Sequence, residues 1–391
     1  MHKIYYAIFG SGLGHVTRVL DVSRKLEAEF PSEYLFSSFD QGLEYLEAHE
    51  KPNRIVKCPS LDVEWTAAGS FSSRDFLPRF PFMLNSFFHQ VAFERNSLTK
   101  FKPKLVVSDS RLSVILAASL KSYPIVTILN QFKVTLPPRF RGKGLSGVYE
   151  RIAGNGLGLL WSLSDQVLMT DLPPPFTIGE SNIAGTDVSR IARYVGFILP
   201  DVKPDVERLQ KVRAGLDIDQ RPLLFFQISG PDATKQRFLD VVLRASDDLS
   251  KRYNVVISMG YAGASNTPRR LVNGTWIFEW CPIKDELFAL ASLIIARSGH
   301  RTIGECIDSG KPAILVPIHN HSEQLGNAAK FRKLGLGIDV RSEHFTSERL
   351  IASVDESMND SKYRNKAEYV QSISKKYNGI EKTVEIIKSY C

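Results

Sequence analysis

LIIARSGHRTIGE, residues 293–305, reads as a buried strand, a tight turn and the start of a helix. The first amides of a helix are unpaired and present a partial charge of roughly +0.5 to an anion. Glu305 lies on an early turn of this helix, where its carboxylate can accept hydrogen bonds from a ribose diol. We therefore predict that a diphosphate binds at the turn and the first helical residues, which are Ser298, Gly299, His300 and Arg301.

The alternation of short apolar runs with longer segments of helical period extends along the whole chain and is typical of parallel βαβ units. Residues 196–204 are rich in proline and lack a clear period, which indicates a linker. We predict an α/β fold with two doubly wound parallel sheets, in which ligands bind at the carboxyl ends of strands. The predicted strands are residues 3–9, 34–37, 54–57, 104–108, 124–129 and 166–169 before the linker, and 222–228, 254–259, 275–279, 292–296 and 313–317 after it.

The composition is that of a globular protein with affinity for anions. A chain of 391 residues exceeds what one hydrophobic core usually supports, and 43% hydrophobic with 24% charged residues are globular values. The net charge of +8 favours anionic ligands. Four scattered cysteines, and no apolar run near the about 18 to 20 residues of a membrane span, predict a reduced, cytoplasmic protein.

GSGLGHVTR, residues 10–18, follows the first predicted strand. Gly12 and Gly14 let the backbone pass close to a ligand, and a helix beginning near Val16 would offer its amides to a diphosphate. His15 at the mouth of that helix is a candidate general base, and Asp109, at the end of another strand, can orient its imidazole. The simpler alternatives are that His15 only caps the helix and that Asp109 only caps the next one.

Two other interpretations of these motifs remain open. The first glycine loop has its third glycine one position too early for a dinucleotide site, although Asp40 can imitate the ribose-binding acid of a dehydrogenase. His300, His319 and His321 suggest a metal, but their spacing gives an incomplete ligand set. We expect no bound metal.

A polar pair, Glu323-Gln324, follows the last predicted strand in what we expect to be a loop, where it suits sugar hydroxyls. A second unusual region is rich in phenylalanine and basic residues. It is either a helical core or a basic aromatic face for an anionic membrane or a lipid-linked acceptor. Its members are Phe71, Phe76, Phe80, Phe82, Phe87, Phe88, Phe93, Phe101, Arg74, Arg79, Arg95 and Lys100, with Arg139, Arg141, Lys143 and Trp161 further on.

The run from Glu279 to Ala328 resembles the donor-binding signature of a glycosyltransferase superfamily. That superfamily includes the MurG-type peptidoglycan N-acetylglucosaminyltransferases, the UDP-glucuronosyl and plant UDP-glycosyltransferases, and split two-subunit transferases of eukaryotes. The glycine loop with His15 is similar to the N-terminal loop of the same enzymes, and closest in appearance to uncharacterised archaeal and bacterial glycosyltransferases. The resemblance implies the GT-B fold, two Rossmann-like domains facing a cleft.

The resemblance also implies roles for particular residues and domains. Ile283 would pack on the base, Glu305 would hold the ribose, and Ser229-Gly230 would face the phosphates. Glu323 and Gln324 would contact the transferred sugar, and His15 with Asp109 would match the base and helper of plant members. The expected domains are an acceptor domain at 1–198, a linker at 199–218, a nucleotide-sugar domain at 219–375 and a C-terminal helix at 376–391 that can pack back on the first domain.

The activity implied is that of an inverting, metal-independent hexosyltransferase. It would move N-acetylglucosamine or a hexose from a UDP-sugar to a hydroxyl acceptor, lipid-linked or small, with the UDP-sugar as co-substrate and no cofactor. Contact with an anionic membrane surface is compatible with the basic aromatic region, and nucleic acid binding has no motif to support it. Two alternatives are an enzyme like the UDP-N-acetylglucosamine 2-epimerases and a nucleotide-sugar-binding subunit without catalysis.

Overall fold

The chain folds into two compact units, each with its own sheet and core. The computed structural model describes residues 2–61, 73–132, 158–183, 191–200, 204–230, 232–261 and 263–391, and only the backbone at 73–80, 182 and 233. The described residues up to Pro200 form the first unit together with Tyr377–Cys391, and those from Pro204 to Lys376 form the second. The predicted linker, 199–218, therefore contributes a helix to the second unit.

The first unit is built on a seven-stranded, fully parallel sheet in the order β3-β2-β1-β4-β5-β6-β7. Its inner strands are almost continuously apolar because both faces are covered by helices. The strands are β1 (His2–Ile8), β2 (Ser32–Ser38), β3 (Ile55–Lys57), β4 (Leu105–Asp109), β5 (Ile125–Leu129), β6 (Gln166–Met169) and β7 (Ala192–Tyr194).

Helices cover both faces of this sheet, which separates two apolar clusters. One cluster lies between one face and the helices Leu13–Glu29 and Gly379–Ser389, and the other lies between the opposite face and the helices Ser73–Phe101 and Leu112–Ser119. A short 3-10 turn, Pro52–Arg54, precedes β3. The described helices of this unit are α1 (Leu13–Glu29), α2 (Asp40–His49), α3 (Ser73–Phe101), α4 (Leu112–Ser119), α5 (Glu180–Ile183) and the C-terminal α13 (Gly379–Ser389).

The second unit has a similar doubly wound sheet with an additional antiparallel strand at one edge. Its seven strands run in the order β10-β11-β9-β8-β12-β13-β14 and are parallel except for β10, which is antiparallel to β11. The strands are β8 (Leu223–Gln227), β9 (Asn254–Ser258), β10 (Arg269–Arg270), β11 (Trp276–Phe278), β12 (Leu293–Ala296), β13 (Ala313–Leu315) and β14 (Gly337–Asp339).

One large apolar cluster of the second unit joins the helices Gln236–Leu249 and Ser347–Asn359 to the inner strands. Phe238 and Val242 of the first helix and Val354 of the second lie in this cluster. Short 3-10 turns occur at Asp232–Thr234 and Ser342–His344. The described helices are α6 (Val206–Gly215), α7 (Gln236–Leu249), α8 (Lys284–Leu290), α9 (His300–Ser309), α10 (Ser322–Lys333), α11 (Ser347–Asn359) and α12 (Ser361–Ser374).

In each sheet the strand order reverses at one point, the switch point, and ligands of doubly wound sheets bind there. In the first unit the reversal lies between β1 and β4, so the segments that follow Ile8 and Asp109 emerge side by side. In the second unit the reversal lies between β8 and β12, so the segments that follow Gln227 and Ala296 emerge side by side. The two glycine motifs found in the sequence begin at these switch points, and the predicted α/β fold is confirmed.

The basic aromatic region falls only in part within the described residues. Phe71, Arg139, Arg141 and Lys143 lie outside them, as do the side chains of Arg74, Phe76, Arg79 and Phe80. The described part of α3 has two faces. Val91 and Leu98 are buried in the core, whereas Phe82 and Phe88 are 69% and 54% exposed. Trp161 is buried and donates a hydrogen bond to the Phe132 carbonyl oxygen (3.0 Å).

Candidate active site

His15 and Asp109 meet at the switch point of the first sheet. His15 lies in the first turn of α1, and Asp109 is the last residue of the adjacent β4. The His15 Nδ1 and the Asp109 Oδ1 are 2.6 Å apart. The Asp109 side chain is fully buried, whereas the His15 side chain is 22% exposed. A buried carboxylate thus anchors an imidazole that remains open to a ligand.

The contacts of the His15 ring fix its tautomer. An ionised carboxylate can only accept hydrogen bonds, so the hydrogen of the 2.6 Å contact is on Nδ1 and His15 is the donor. The Nε2 atom then carries the lone pair. Phe9 packs edge-on against the ring, with 5.4 Å between centroids, and limits its rotation. With Nδ1 held as the donor to Asp109, Nε2 is the ring atom at which a proton can be exchanged with a ligand.

Arg18 is a third member of this group that sequence reasoning did not identify. One turn after His15 on α1, it donates to Asp109 Oδ2 through Nε and to Asp109 Oδ1 through Nη2 (2.5 Å). Burial alone would raise the pKa of Asp109, but the charge of Arg18 and the hydrogen bonds from Arg18 and His15 outweigh burial and hold that pKa below its usual value. Asp109 is therefore ionised, as the hydrogen bond from His15 requires.

The glycine loop before His15 is shaped by one residue. Gly12 has φ = 85°, a left-handed conformation that favours glycine, and its N–H donates to the Gln41 Oε1 (3.2 Å). The helix begins at Leu13 rather than near Val16 as we expected, so Gly14 is helical. A side chain at Gly14 would meet no atom within 4 Å, which leaves space beside this turn. The diphosphate roles of Gly12 and Gly14 stay predictions.

The corresponding switch point of the second unit holds the Ser298-Gly299 turn. Gly299 is the N-cap of α9, with no side-chain cap for the first amides, so these amides remain directed out of the helix end. His300, the first helical residue, is 8% exposed. The Ser298 hydroxyl donates to the Gln324 carbonyl oxygen (2.8 Å), so this side chain ties the turn to α10.

Arg297, directly before that turn, is a buried cation. It is 5% exposed and donates to two carbonyl oxygens, those of Val316 (3.1 Å) and Thr234 (2.7 Å). Among the residues that the structure describes, no carboxylate lies within ion-pair distance of it, and its buried Nε has no partner. Burial lowers the pKa of Arg297 to about 10. The end of β12 thus carries a positive charge that the described protein does not neutralise.

Glu305, the predicted ribose ligand, lies in α9 with its side chain 10% exposed. Its Oε1 accepts a hydrogen bond from the Lys284 Nζ (2.5 Å), and the Arg301 Nε is 3.5 Å away. The Glu305 charge raises the pKa of Lys284 against the opposing effect of burial. Because both cations contact Oε1, the Oε2 atom of Glu305 is available to other hydrogen-bond donors.

Ile283 lies at the end of a small apolar cavity in the second unit. It is the N-cap residue of α8 and lines a space of about 420 Å³ with Phe278 and Pro282. Arg208 and Lys211 of α6 also line this space. Trp280, half-buried in the same segment, is not among the residues that line it. An apolar space that two cations also line is suited to a planar base attached to phosphate.

Two further predicted contacts lie in segments that follow β8 and β13. Gly230 has φ = 106°, and a Cβ there would lie 3.1 Å from Ile318 Cδ1, while Ser229 is partly exposed. Glu323 and Gln324 do not lie in a loop, as we expected, but in the first turn of α10, because His321 caps that helix by accepting from the Gln324 N–H (3.4 Å).

Gln324 is 9% exposed and its Oε1 accepts from the Ile318 N–H (3.0 Å). It therefore helps to shape the segment after β13 from within, and Glu323 is the more open of the pair. The structure brings Ser298 and Gln324 into direct contact, and Ser229-Gly230 follow β8, the strand that pairs with β12. The binding roles of these residues remain predictions.

Two searches of the described residues concern metals and membranes. No three histidine, cysteine, aspartate or glutamate side chains within them are grouped so as to hold a metal ion. None of the described helices has both the length and the apolar character that crossing a bilayer requires. All four cysteines are free thiols, three of them buried.

Comparison with known sequences agrees with this geometry. Residues 233–383 match the model of the glycosyltransferase family 28 C-terminal domain. An uncharacterised glycosyltransferase of Methanosarcina acetivorans is 26% identical over 96% of this chain and 95% of its own. A UDP-N-acetylglucosamine–N-acetylmuramyl-(pentapeptide) pyrophosphoryl-undecaprenol N-acetylglucosamine transferase of Clostridium botulinum is 27% identical over 44% of this chain and 48% of its own.

Solved structures show the same fold at low sequence identity. The calicheamicin glycosyltransferase superposes with a TM-score of 0.68 at 14% identity, covering 100% of this chain and 98% of its own. A spinosyn rhamnosyltransferase complexed with thymidine diphosphate gives 0.67 at 13% identity, covering 99% and 100%. The two-sheet architecture is therefore one that solved glycosyltransferases share.

Proposed function

Since this chain is a glycosyltransferase of the GT-B superfamily that contains the MurG-type and UDP-glycosyltransferase enzymes, we propose that it transfers a sugar from a UDP-sugar to a hydroxyl acceptor with inversion. The sugar is N-acetylglucosamine or a hexose. The observation that carries the proposal is the 2.6 Å contact of His15 with buried Asp109 at a sheet switch point. That contact supplies the general base that direct displacement requires.

In the proposed reaction His15 acts on the acceptor. Its Nε2 removes the hydroxyl proton while the acceptor oxygen forms a bond to the anomeric carbon of the donor. The bond from that carbon to the diphosphate oxygen breaks, and UDP departs with the bonding electrons. Asp109 stabilises the imidazolium that forms, and a base positioned in this way contributes on the order of 10²- to 10⁴-fold to the rate.

The second unit is proposed to hold the donor and to stabilise the leaving group. The diphosphate would lie at the open N-terminus of α9, where Arg297 and Arg301 add positive charge. Glu305 would bind the ribose and Ile283 would pack on the base, while Glu323 contacts the sugar. These cations and amides would balance the developing charge, so the proposed reaction is metal-independent.

The choice of uridine and of the acceptor rests on the relatives. The Clostridium botulinum relative is named for UDP-N-acetylglucosamine and an undecaprenol-linked acceptor. The exposed Phe82, Leu84 and Phe88 of α3 are suited to the chain of such a lipid or to a membrane surface. We therefore propose a hydroxyl acceptor on a lipid-linked glycan, used at the cytoplasmic membrane face.

The test is to measure UDP release by the full chain from UDP-sugars, with and without candidate acceptors. We expect acceptor-dependent release, and His15→Gln should reduce kcat by about 10²- to 10⁴-fold while donor affinity is nearly unchanged. His49→Gln is a matched control, because His49 is an exposed histidine of α2 that contacts only the Tyr45 backbone and ring among the described residues. Interconversion of the sugar without acceptor would indicate an epimerase, and no turnover of any donor would indicate a binding subunit.

A further inference from the structure

Arg18 is an additional charged residue in contact with the His15–Asp109 pair. A base and its carboxylate need no third charge, yet Arg18 occupies both oxygens of Asp109. Its Nη1 also lies 3.4 Å from the Thr170 hydroxyl at the end of β6. Arg18 as a whole is 7% exposed, so its side chain is held inside the unit rather than extended toward a ligand.

The position of Arg18 relative to His15 is the decisive detail. Its Nη2 lies 3.2 Å from the His15 Nδ1. Because Nδ1 already donates its hydrogen to Asp109, Arg18 cannot donate to it, and the contact places a permanent cation beside the imidazole. A cation at this distance opposes protonation of the ring, whereas the Asp109 charge favours it.

We propose that Arg18 is a positioning residue that holds Asp109 in place and keeps His15 neutral before the acceptor binds. The inference rests on the proposed function, since it concerns the base of that reaction. Asp109 alone would favour an imidazolium, which cannot remove a proton. By forming a bidentate pair with Asp109, Arg18 lets the carboxylate orient Nδ1 without converting the ring to its acid form.

No other charge competes at this position within the described residues. The recorded contacts of the His15 ring are those with Asp109, Arg18 and the Phe9 ring. The helices α2 and α13, which also pack on α1, carry charged side chains, and none of these contacts the ring. Asp109 and Arg18 are therefore the two charged groups in contact with the ring.

The test compares two single substitutions of Arg18 in the full chain. Arg18→Gln keeps a hydrogen-bond donor but removes the charge, and Arg18→Lys keeps the charge but removes the planar fork. Arg24→Gln is the control, because Arg24 is an exposed arginine on the same helix. The first readout needs no substrate: ring NMR of the histidines against pH, with His15 assigned by its absence in His15→Gln.

We expect the His15 ring of Arg18→Gln to take up its proton at a pH higher by roughly one unit or more. Arg18→Lys should stay near the wild type and Arg24→Gln should equal it. Where activity is measurable, the acidic limb of the kcat/KM profile should move up by the same amount. An unchanged His15 titration in a folded Arg18→Gln protein would overturn the proposal.

The two proposals fail in different ways. If the titration moves as expected but no donor and acceptor support turnover, the proposed function is wrong and the role of Arg18 stands. Should Arg18→Gln not fold, Arg18→Lys still decides, because loss of the planar fork with the charge kept should lower kcat while leaving the His15 titration in place. A Lys variant whose His15 titration moves upward would contradict the proposal.

Discussion

Arg297 is the residue whose burial is hardest to explain without a ligand. A buried guanidinium with two carbonyl partners and no carboxylate within the described chain is costly to keep charged. An anion at the adjacent helix end would offset this cost. The burial of the Arg297 charge is therefore explained if Arg297 binds the proposed diphosphate.

We predict that Arg297→Met weakens UDP binding by roughly 10- to 100-fold, since a hydrogen bond or contact to a charged group contributes about 1.5 to 3 kcal/mol. The thermal stability of the free protein should change little, because loss of the two carbonyl contacts is offset by removal of an unpaired charge. The measurement is the shift of the melting temperature with UDP concentration. Arg252→Met, an exposed arginine paired with Asp355 on the second unit, is the control. An undiminished UDP shift in Arg297→Met would show that this cation does not serve the nucleotide.

At the scale of elements, α9 is held in place at both ends. Its N-terminus is fixed by the contact of Ser298 with Gln324, and its C-terminus by Gly310, which has φ = 67° and donates its N–H to the Ile307 carbonyl oxygen (3.1 Å). A Cβ at Gly310 would also lie 2.7 Å from the Gln371 side chain. The helix whose first amides are proposed to face the diphosphate is thus capped at its other end by a glycine ten residues after His300.

Gly310→Ala should lower the free energy of unfolding of the second unit by about 1 to 2 kcal/mol, because a left-handed conformation is unfavourable for a side chain. Gly215→Ala is the matched control, since Gly215 ends α6 without a left-handed φ and with no atom within 4 Å of an added Cβ. That substitution should be neutral or slightly stabilising. Denaturant unfolding of both variants measures the difference, and equal effects would contradict the cap assignment.

The elements also show what the sequence could predict. All eleven predicted strands are present, and most of them are runs of buried apolar residues; β3, at the edge of its sheet, is only partly buried. The missed strands, β7, β10 and β14, are only two or three residues long and carry no comparable run. His15 and Asp109 could be predicted as site residues because each lies at or shortly after the end of an apolar strand. Arg18 was not, because a single arginine inside an amphipathic helix has the same pattern as a solvated one.

On the scale of the whole molecule, the chain returns to its first unit after completing the second. The last helix, α13, packs on α1, and its Ile380, Val384 and Ile387 are buried in the core of the first unit. Lys388 adds an ion pair to Glu29 of α1 (2.5 Å). Side chains of this kind contribute about 1.5 to 3 kcal/mol each when buried, so the first unit depends on the C-terminal helix for a large part of its stability.

Because the two units have separate cores, we predict that Ile387→Ala lowers the unfolding transition of the first unit by about 2 to 4 kcal/mol and leaves that of the second unchanged. Glu385→Ala, an exposed position on the same helix, should change neither. Calorimetry with and without UDP assigns the transitions, since UDP bound by the second unit should raise only its own. If Ile387→Ala instead lowered the transition that UDP raises, the C-terminal helix would be stabilising the nucleotide-binding unit. The expected result would show that the unit containing His15 is stabilised by a segment that follows the entire second unit in the chain.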